Sequence, residues 1–579
     1  MKISTFFKNI LFLAILFTIA HFIFLILFFK PAISTPDAQG YFTQAKIISI
    51  DGKTYIEPKS ILEYIGPHWL NDGNNRYYTT FPPGFPTILS LVYKVISSKA
   101  ALYVNPVLAS LSLFGLFLVL KTWIGDIWGL LALALLSVNP FFNEHALFGD
   151  SHLSVVFFLT WGLFFLFKWK DTNSDWWIFP TSLCFGIIPT IRYAEILLLF
   201  AFALFILMHF QKTKMFWLSL LKGITGTGIP VIALFIRNQV AFGAFWKTGY
   251  GISDEPAHFG LNYFISHFLP FLKILIFDGA GIIFIVGLSG LAYLIYHHKT
   301  RKMGIFLALL IFPSTFLYMA YIWPPDPQTM RFLLPTVPVY IISTVWILKI
   351  LTKRNFRLGL SLSILIIIFT FIGGLPRSIR SMEHLKNNHA VLSKITEAIE
   401  KHITPGSILI ANEGILQNLD FTGHWKLIDI SFLKSKKPEA PQYFKDNENF
   451  PPPEKLRNIN AQQKYADLKD EELFGSFSKD VWQWAKKNGK VYLIAKQEQI
   501  SRFEKDLSPN DAFTIVAEIE LPEVDNIKFS MPPGRRHPKP ALPNNSNAVG
   551  QKRMMPNQIF DLFLDGRTLI IVEWNRILQ

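Results

Sequence analysis

Residues 10–29 read ILFLAILFTIAHFIFLILFF, an apolar run preceded by a short head that carries Lys2 and Lys8. A helix of about 20 such residues matches the roughly 30 Å hydrocarbon core of a bilayer, so this segment spans. A cleaved signal peptide would have a shorter apolar core and a small-residue cleavage site, and neither stands before Lys30-Pro31. The rest of the chain agrees with that start. Of 579 residues, 51% are hydrophobic, 15% aromatic and only 17% charged, against roughly 25% charged in soluble domains. This composition excludes an ordinary soluble enzyme, and 55 Phe with 15 Trp exclude a mainly disordered chain. The formal charge of +15 could signal a nucleic-acid partner in a soluble protein. Here topology supplies it, because polytopic proteins gather Lys and Arg in their cytoplasmic loops. The single cysteine, Cys184, rules out an internal disulfide framework and a Cys-based metal cluster.

Further apolar segments begin near Pro82, Ala101, Gly125, Ser151, Trp176, Tyr193, Phe216, Ile274, Met303, Phe332 and Phe356, the last ending near Leu375. No internal repeat is visible, which argues against an inverted-repeat transporter. The basic short loops are Gln211-Lys212-Thr213-Lys214, His297-His298-Lys299-Thr300-Arg301-Lys302 and Lys349 to Arg357. The positive-inside rule makes them cytoplasmic, so the last span leads outward and the chain after Pro376 lies outside. An internal N-terminus and an external C-terminus require an odd number of spans, so a count of about twelve is off by one. The segments to suspect are the stretch from Pro82, the Pro140-interrupted stretch to Phe148, and an uncounted apolar piece at Phe264 to Phe277.

From Pro376 to Gln579 the composition becomes that of a globular domain. β-rich runs at Ser407 to Ala411, Val491 to Ala495 and Phe513 to Ile519 alternate with helix-compatible stretches at Glu383 to His402 and Lys479 to Lys487, which predicts an α/β domain. Gln558 to Leu564 and Thr568 to Trp574 flank Asp565-Gly566-Arg567, a hairpin signal. Lys434 to Glu454 and Met531 to Gln551 read as polar loops. The expected architecture is therefore a polytopic α-helical membrane protein of about 11 to 13 spans over residues 1–375, with a first outer loop at about 31–82, and an extracytoplasmic α/β domain over 376–579.

Five stretches carry groups that could do chemistry. Thr35-Pro36-Asp37-Ala38-Gln39-Gly40-Tyr41 stands just outside the first span, where a carboxylate is costly if it dips inward and so tends to have a job or a partner. The plain alternative is that Asp37 caps a helix beginning at Ala38. Arg76-Tyr77-Tyr78-Thr79-Thr80-Phe81-Pro82-Pro83-Gly84-Phe85-Pro86 closes the first outer loop. Asn143-Glu144-His145-Ala146-Leu147-Phe148-Gly149-Asp150-Ser151-His152 brings two His and two carboxylates together without the i, i+4 His pair of a helical zinc site, so no metal site is assigned. Arg192, after Pro189-Thr190-Ile191, and Arg331, opening Arg331-Phe332-Leu333-Leu334-Pro335-Thr336-Val337-Pro338, each stand where an apolar run begins. Such an Arg either snorkels or holds a phosphate at a dry boundary.

Taken in order, these pieces resemble the GT-C superfamily of membrane glycosyltransferases, in the branch that contains protein O-mannosyltransferases and the lipid A aminoarabinose transferases. The match covers about Ile10 to Leu375 and rests on order and spacing: Asp37 and Tyr41 after the first span, the Tyr78-Thr79-Thr80-Phe81-Pro82-Pro83-Gly84-Phe85-Pro86 entrance, Asp150, and the late Arg331 stretch. Family members often carry Asp-Glu in the first loop, whereas Ala38 follows Asp37 here. The resemblance implies an inverting enzyme of the cell envelope that takes its sugar from a polyprenyl-phosphate donor and works on the extracytoplasmic face, with a lipid, glycan or protein acceptor and no nucleic acid. It makes Asp37 the base and Asp150 a catalytic partner that positions the acceptor or orients the neighbours of Asp37. It gives Arg331, then Arg76, then Arg192 to the donor phosphate, and Tyr41, Tyr78 and His152 to the substrate cavity. No cofactor is implied, unless the two carboxylates hold a divalent cation. The rival readings are a transporter or flippase of lipid-linked sugars, which would place its charges within the spans, and a non-catalytic membrane scaffold.

Overall fold

In the computed structural model, residues 3–430, 468–521 and 568–576 are described, apart from 173, 210–213, 254, 324, 327–328, 469, 486–488, 506 and 508–510. The chain divides into two units, one built from residues up to 59 and from 65–386, the other from 60–64 and the described residues from 387 onward.

The first unit is a helical array. After α1 (Ile3–Phe28) come the outer helix α2 (Pro36–Asp51), α3 (Gly84–Val95), the single turn α4 (Ser98–Ala101), α5 (Val104–Ile124), α6 (Asp126–Ser137), α7 (Pro140–Leu147), α8 (His152–Thr172), α9 (Ile178–Ile191) and α10 (Ile196–Met208). Next are α11 (Lys214–Phe242), the single turn α12 (Gly249–Ile252), α13 (Leu261–Ile274), α14 (Ile282–Tyr296), α15 (Arg301–Met319), α16 (Val337–Arg354) and α17 (Phe356–His402). Among the described residues eight helical segments are long and apolar enough to cross a membrane, and α6 with α7 forms a further one bent by 65°. The chain is a multi-pass membrane protein. The bend falls at Asn139, which caps α7 by accepting from the Phe142 N–H at 3.0 Å and donates to Gly279 O at 3.1 Å. It is tied down inside the bundle by Asn143, which bonds Ser137 O, the Ser378 hydroxyl and His21 Nε2 at 2.8, 3.2 and 3.0 Å. Such side chains replace the backbone partners that water cannot provide there.

The apolar piece at Phe264 to Phe277 is a helix of its own: Leu261–Gly279 qualifies as a span. The segment read as beginning at Ile274 therefore splits, because Gly281 at φ +61° turns the chain before α14. In the first outer loop β1 (Tyr55–Ile56), β2 (Trp69–Asn71) and β3 (Tyr77–Thr79) make a small antiparallel sheet in the order β1-β3-β2, centred on buried Trp69 and Tyr77.

The second unit is a mixed five-stranded sheet. Its strands β4 (Ile408–Ala411), β5 (Lys426–Asp429), β6 (Val491–Ala495), β7 (Asp511–Glu520) and β8 (Thr568–Arg576) lie in the order β5-β4-β6-β8-β7, parallel on the β5-β4-β6 side and antiparallel from β6 to β7. Side chains alternate between faces with the period of two that a pleat imposes. Ile408, Ile410, Val491, Leu493, Val572 and Trp574 pack with α19 (Asp470–Ala485) in one core; Leu409, Ala411, Tyr492, Ile494 and Ile571 pack with α18 (Glu413–Thr422) and the end of α17 in another. Burial on both faces explains why these strands read as continuous apolar runs. Helix α17 runs unbroken through Pro376, so the change of composition at 376 lies inside a helix and the units part at 386–387. Both edges of β8 are occupied, by β6 and β7. The proposed hairpin partner Gln558 to Leu564, its turn, and the two polar loops lie outside the described residues.

Candidate active site

The ends of six elements of the first unit converge. Thr35 caps α2, accepting from the Ala38 N–H at 3.3 Å, and Pro36 occupies the first turn where its missing N–H costs nothing. Asp37 is thus not the cap. Its carboxylate is released from the helix and meets two partners: Oδ2 pairs with Arg331 Nη2 at 3.0 Å and Oδ1 with His68 Nε2 at 3.1 Å. Burial alone would raise this carboxyl, but the charge of Arg331, the bond and charge of His68 and the charge of Arg192 outweigh it and hold it well below the usual carboxylate range.

Arg331 comes from the 3-10 segment Thr329–Thr336 that leads into α16, and its guanidinium lies 5.3 Å from the ring of Phe332. Arg192, buried at the end of α9, lies 5.4 Å from the same ring. Tyr318 at the end of α15 stacks on Phe332 with centroids 4.6 Å apart. Phe332 is therefore a shared platform for two guanidinium groups 139 residues apart in sequence. Arg192 also reaches Tyr318 OH at 3.4 Å and Ser151 Oγ at 3.5 Å, and stands 3.8 Å from the buried Glu195 carboxylate. Ser151 in turn donates to Tyr41 OH at 2.8 Å. The Nε–H groups of both Arg192 and Arg331 are buried and lack a hydrogen-bond partner among the described residues. Orphaned donors on paired guanidinium groups suit an anion with several oxygens.

Asp150 is placed differently from Asp37. Gly149 at φ +74° turns the chain tightly against Phe42, a conformation that a side chain would strain. Behind it, Asp150 Oδ2 takes His145 Nδ1 at 2.6 Å, Oδ1 accepts the His152 N–H at 3.1 Å, and its carbonyl accepts from Asn105 at 2.8 Å. Both carboxylate oxygens are engaged, and what the arrangement delivers is a fixed Ser151 under Tyr41. His152 is buried with its ring 5.3 Å from Phe332.

Of the other residues singled out from the sequence, Tyr41 is at the site, stacked on Phe81 at 4.3 Å. Tyr78 is buried in β3, with Arg237 over its ring at 5.9 Å; Arg237 also holds Thr79 O at 3.0 Å and so fixes the approach to Phe81. Arg76 pairs at 3.1 Å with Glu57 on the exposed face of the small sheet and is not brought to Asp37. The sequence reading did not single out His68, Glu195, Tyr318 or Glu255. Glu255 bonds the Tyr321 hydroxyl and stands 3.5 Å from His258. Burial raises its carboxyl, but His258 and Tyr321 bring it below the ordinary value, and its field reaches His68. Among the described residues no group of three His, Cys, Asp or Glu side chains is arranged to hold a metal ion.

Residues 80–233 match the family of dolichyl-phosphate-mannose-protein mannosyltransferases. No curated protein sequence matches the chain. Among solved structures, ArnT from Cupriavidus metallidurans bound to undecaprenyl phosphate superposes with a TM-score of 0.57 at 11% identity, over 87% of this chain and 96% of that one. The apo form of the same protein gives 0.53 at 10% identity, over 87% and 95%. At such identity the likeness is one of fold, and it extends over nearly the whole of both chains. Residues 80–233 thus resemble a family of membrane mannosyltransferases, and the fold of the chain is that of ArnT, a membrane glycosyltransferase fold of the GT-C type.

Proposed function

We propose that this protein moves a sugar, with inversion, from a polyprenyl-phosphate donor to an acceptor hydroxyl on the extracytoplasmic face. The observation that carries the reading is the meeting of Asp37 with Arg331, from opposite ends of the array, beside a second guanidinium on the same aromatic platform. A base and a phosphate clamp within reach of one sugar ring, on opposite sides of its anomeric carbon, are what this reaction needs. Asp37 takes the proton as the acceptor oxygen attacks the anomeric carbon, and the bond from that carbon to the phosphate oxygen breaks on the opposite face. Arg331 and Arg192 compensate the charge that develops on the departing phosphate, in a site where preorganised donors act strongly. Asp150 works at one remove, holding Ser151 and through it Tyr41. A structural neighbour crystallised with undecaprenyl phosphate supports a lipid of that class as the donor carrier.

Connectivity supports the orientation. The site gathers the start of α8, the end of α9, the start of α10, the end of α15 and the approach to α16, whereas the basic loops lie between α10 and α11, α14 and α15, and α16 and α17. Site and basic loops thus occupy opposite ends of the same helices, and positive-inside logic puts the site outside. The test is transfer in washed membranes offered a panel of radiolabelled polyprenyl-phosphate sugars. Acceptor-dependent release of polyprenyl phosphate by the wild type, lost in Asp37→Asn, is the expected result; no release from any donor would sink the reading.

A further inference from the structure

Arg331 has two claimants. In the free protein its Nη2 serves Asp37, while its buried Nε–H has no partner among the described residues. Asp37 in turn has both oxygens occupied, one by Arg331 and one by His68. A carboxylate so paired is a weaker base than one relieved of its adjacent cation. The donor phosphate is a diester and carries one charge, as Asp37 does, but its two free oxygens can engage the guanidinium fork in two-pronged fashion where Asp37 makes a single contact. Resting on the reading of Arg331 as a donor-phosphate ligand, the geometry points to an exchange: the donor phosphate withdraws Arg331 from Asp37, and His68 alone then holds the carboxylate with its second oxygen turned to the acceptor. His68 is a positioning residue. The free enzyme keeps its base paired, the donor-loaded enzyme exposes it, and binding is ordered with the donor first.

The groups that set the protonation of Asp37 are Arg331 from the segment before α16, His68 from the loop before β2, Arg192 from the end of α9, and Tyr41 from its own helix, with Glu255 acting on His68. Removing the contact of Arg331 and adding phosphate both favour the protonated carboxyl. Loss of an adjacent opposite charge is worth about 1 to 3 pH units.

The experiment follows Asp37 itself. Full-length protein in detergent is treated with a hydrophobic carbodiimide, which modifies protonated carboxyls, over a pH series; the Asp37 adduct is quantified by peptide mass spectrometry with and without undecaprenyl phosphate, and retention of radiolabelled lipid is measured in parallel. The midpoint for Asp37 should move upward by about 1 to 3 pH units when the lipid binds. Arg331→Gln should show a raised midpoint without lipid, and His68→Gln should keep the lipid-induced shift. Lipid retained with no movement of the wild-type midpoint overturns the exchange and leaves the donor reading standing. If no lipid is retained, the assignment of Arg331 to the donor fails and the exchange fails with it. Wild-type protein decides both cases, so poor folding of a variant does not blunt the test.

Discussion

Asp37 and Thr35 divide between them two jobs that a reading of the sequence assigns to one residue. Because Thr35 is the cap, Thr35→Ala should loosen the start of α2 by about 1 kcal/mol, seen as a lower melting temperature. Asp37→Asn, compared at equal membrane abundance, should reduce single-turnover transfer by about 10²- to 10⁴-fold, the usual worth of general-base catalysis. Wild-type turnover in Asp37→Asn would remove the carboxylate from the mechanism. Arg331→Ala should impair donor binding much more than Arg331→Lys, which keeps the charge but loses the fork; equal and negligible effects in a lipid-binding assay would make Arg331 an anchor only. Asp37, Arg331 and Arg192 were legible because a charge at a span boundary is costly enough to need a reason. His68 and Glu255 were not, since a His or Glu in an outer loop is ordinary and only the fold brings each to its partner. Glu195 had a faint signal, an Arg192–Glu195 pair one helical turn apart.

At the scale of elements, hydropathy located the long spans and failed where helices are short or interrupted. Leu261–Gly279 contains Pro270 and Lys273 and ends in a π turn, so the sequence marked it only as an uncounted apolar piece. The strands of the second unit other than β5 were legible from their β-rich runs, whereas their order was not, because pairing of β8 with both β6 and β7 depends on contacts far apart in sequence. The bend between α6 and α7 offers a test. His21→Leu removes the partner of Asn143 Oδ1 and leaves that group in an apolar surround. Interhelical bonds of this kind are worth on the order of 1 kcal/mol, and denaturation in detergent should show a loss of that size. No change would mean that Asn143 is held by Ser137 and Ser378 alone.

For the molecule as a whole, orientation is the decisive quantity, and the chain is suited to its measurement. The native Cys184 is buried and contributes little background to thiol labelling. A cysteine replacing exposed Glu504, in α20 (Gln497–Glu504), should react with an impermeant reagent in intact cells, and one replacing exposed Lys299 should not. Labelling at Lys299 alone would reverse the polarity and put the site on the wrong side of the membrane. The spans also differ in how much of themselves they hide: 83% of the most apolar window is buried for Thr329–Arg354, against 11% for Leu261–Gly279 and 17% for Phe216–Phe242. Lipid accepts almost any apolar side chain, so selection has little to act on along the outer pair, while each exchange in the inner span must fit its neighbours. Sequence should therefore drift fast at the rim and slowly at the hub, which is one way two chains come to share a fold at 11% identity.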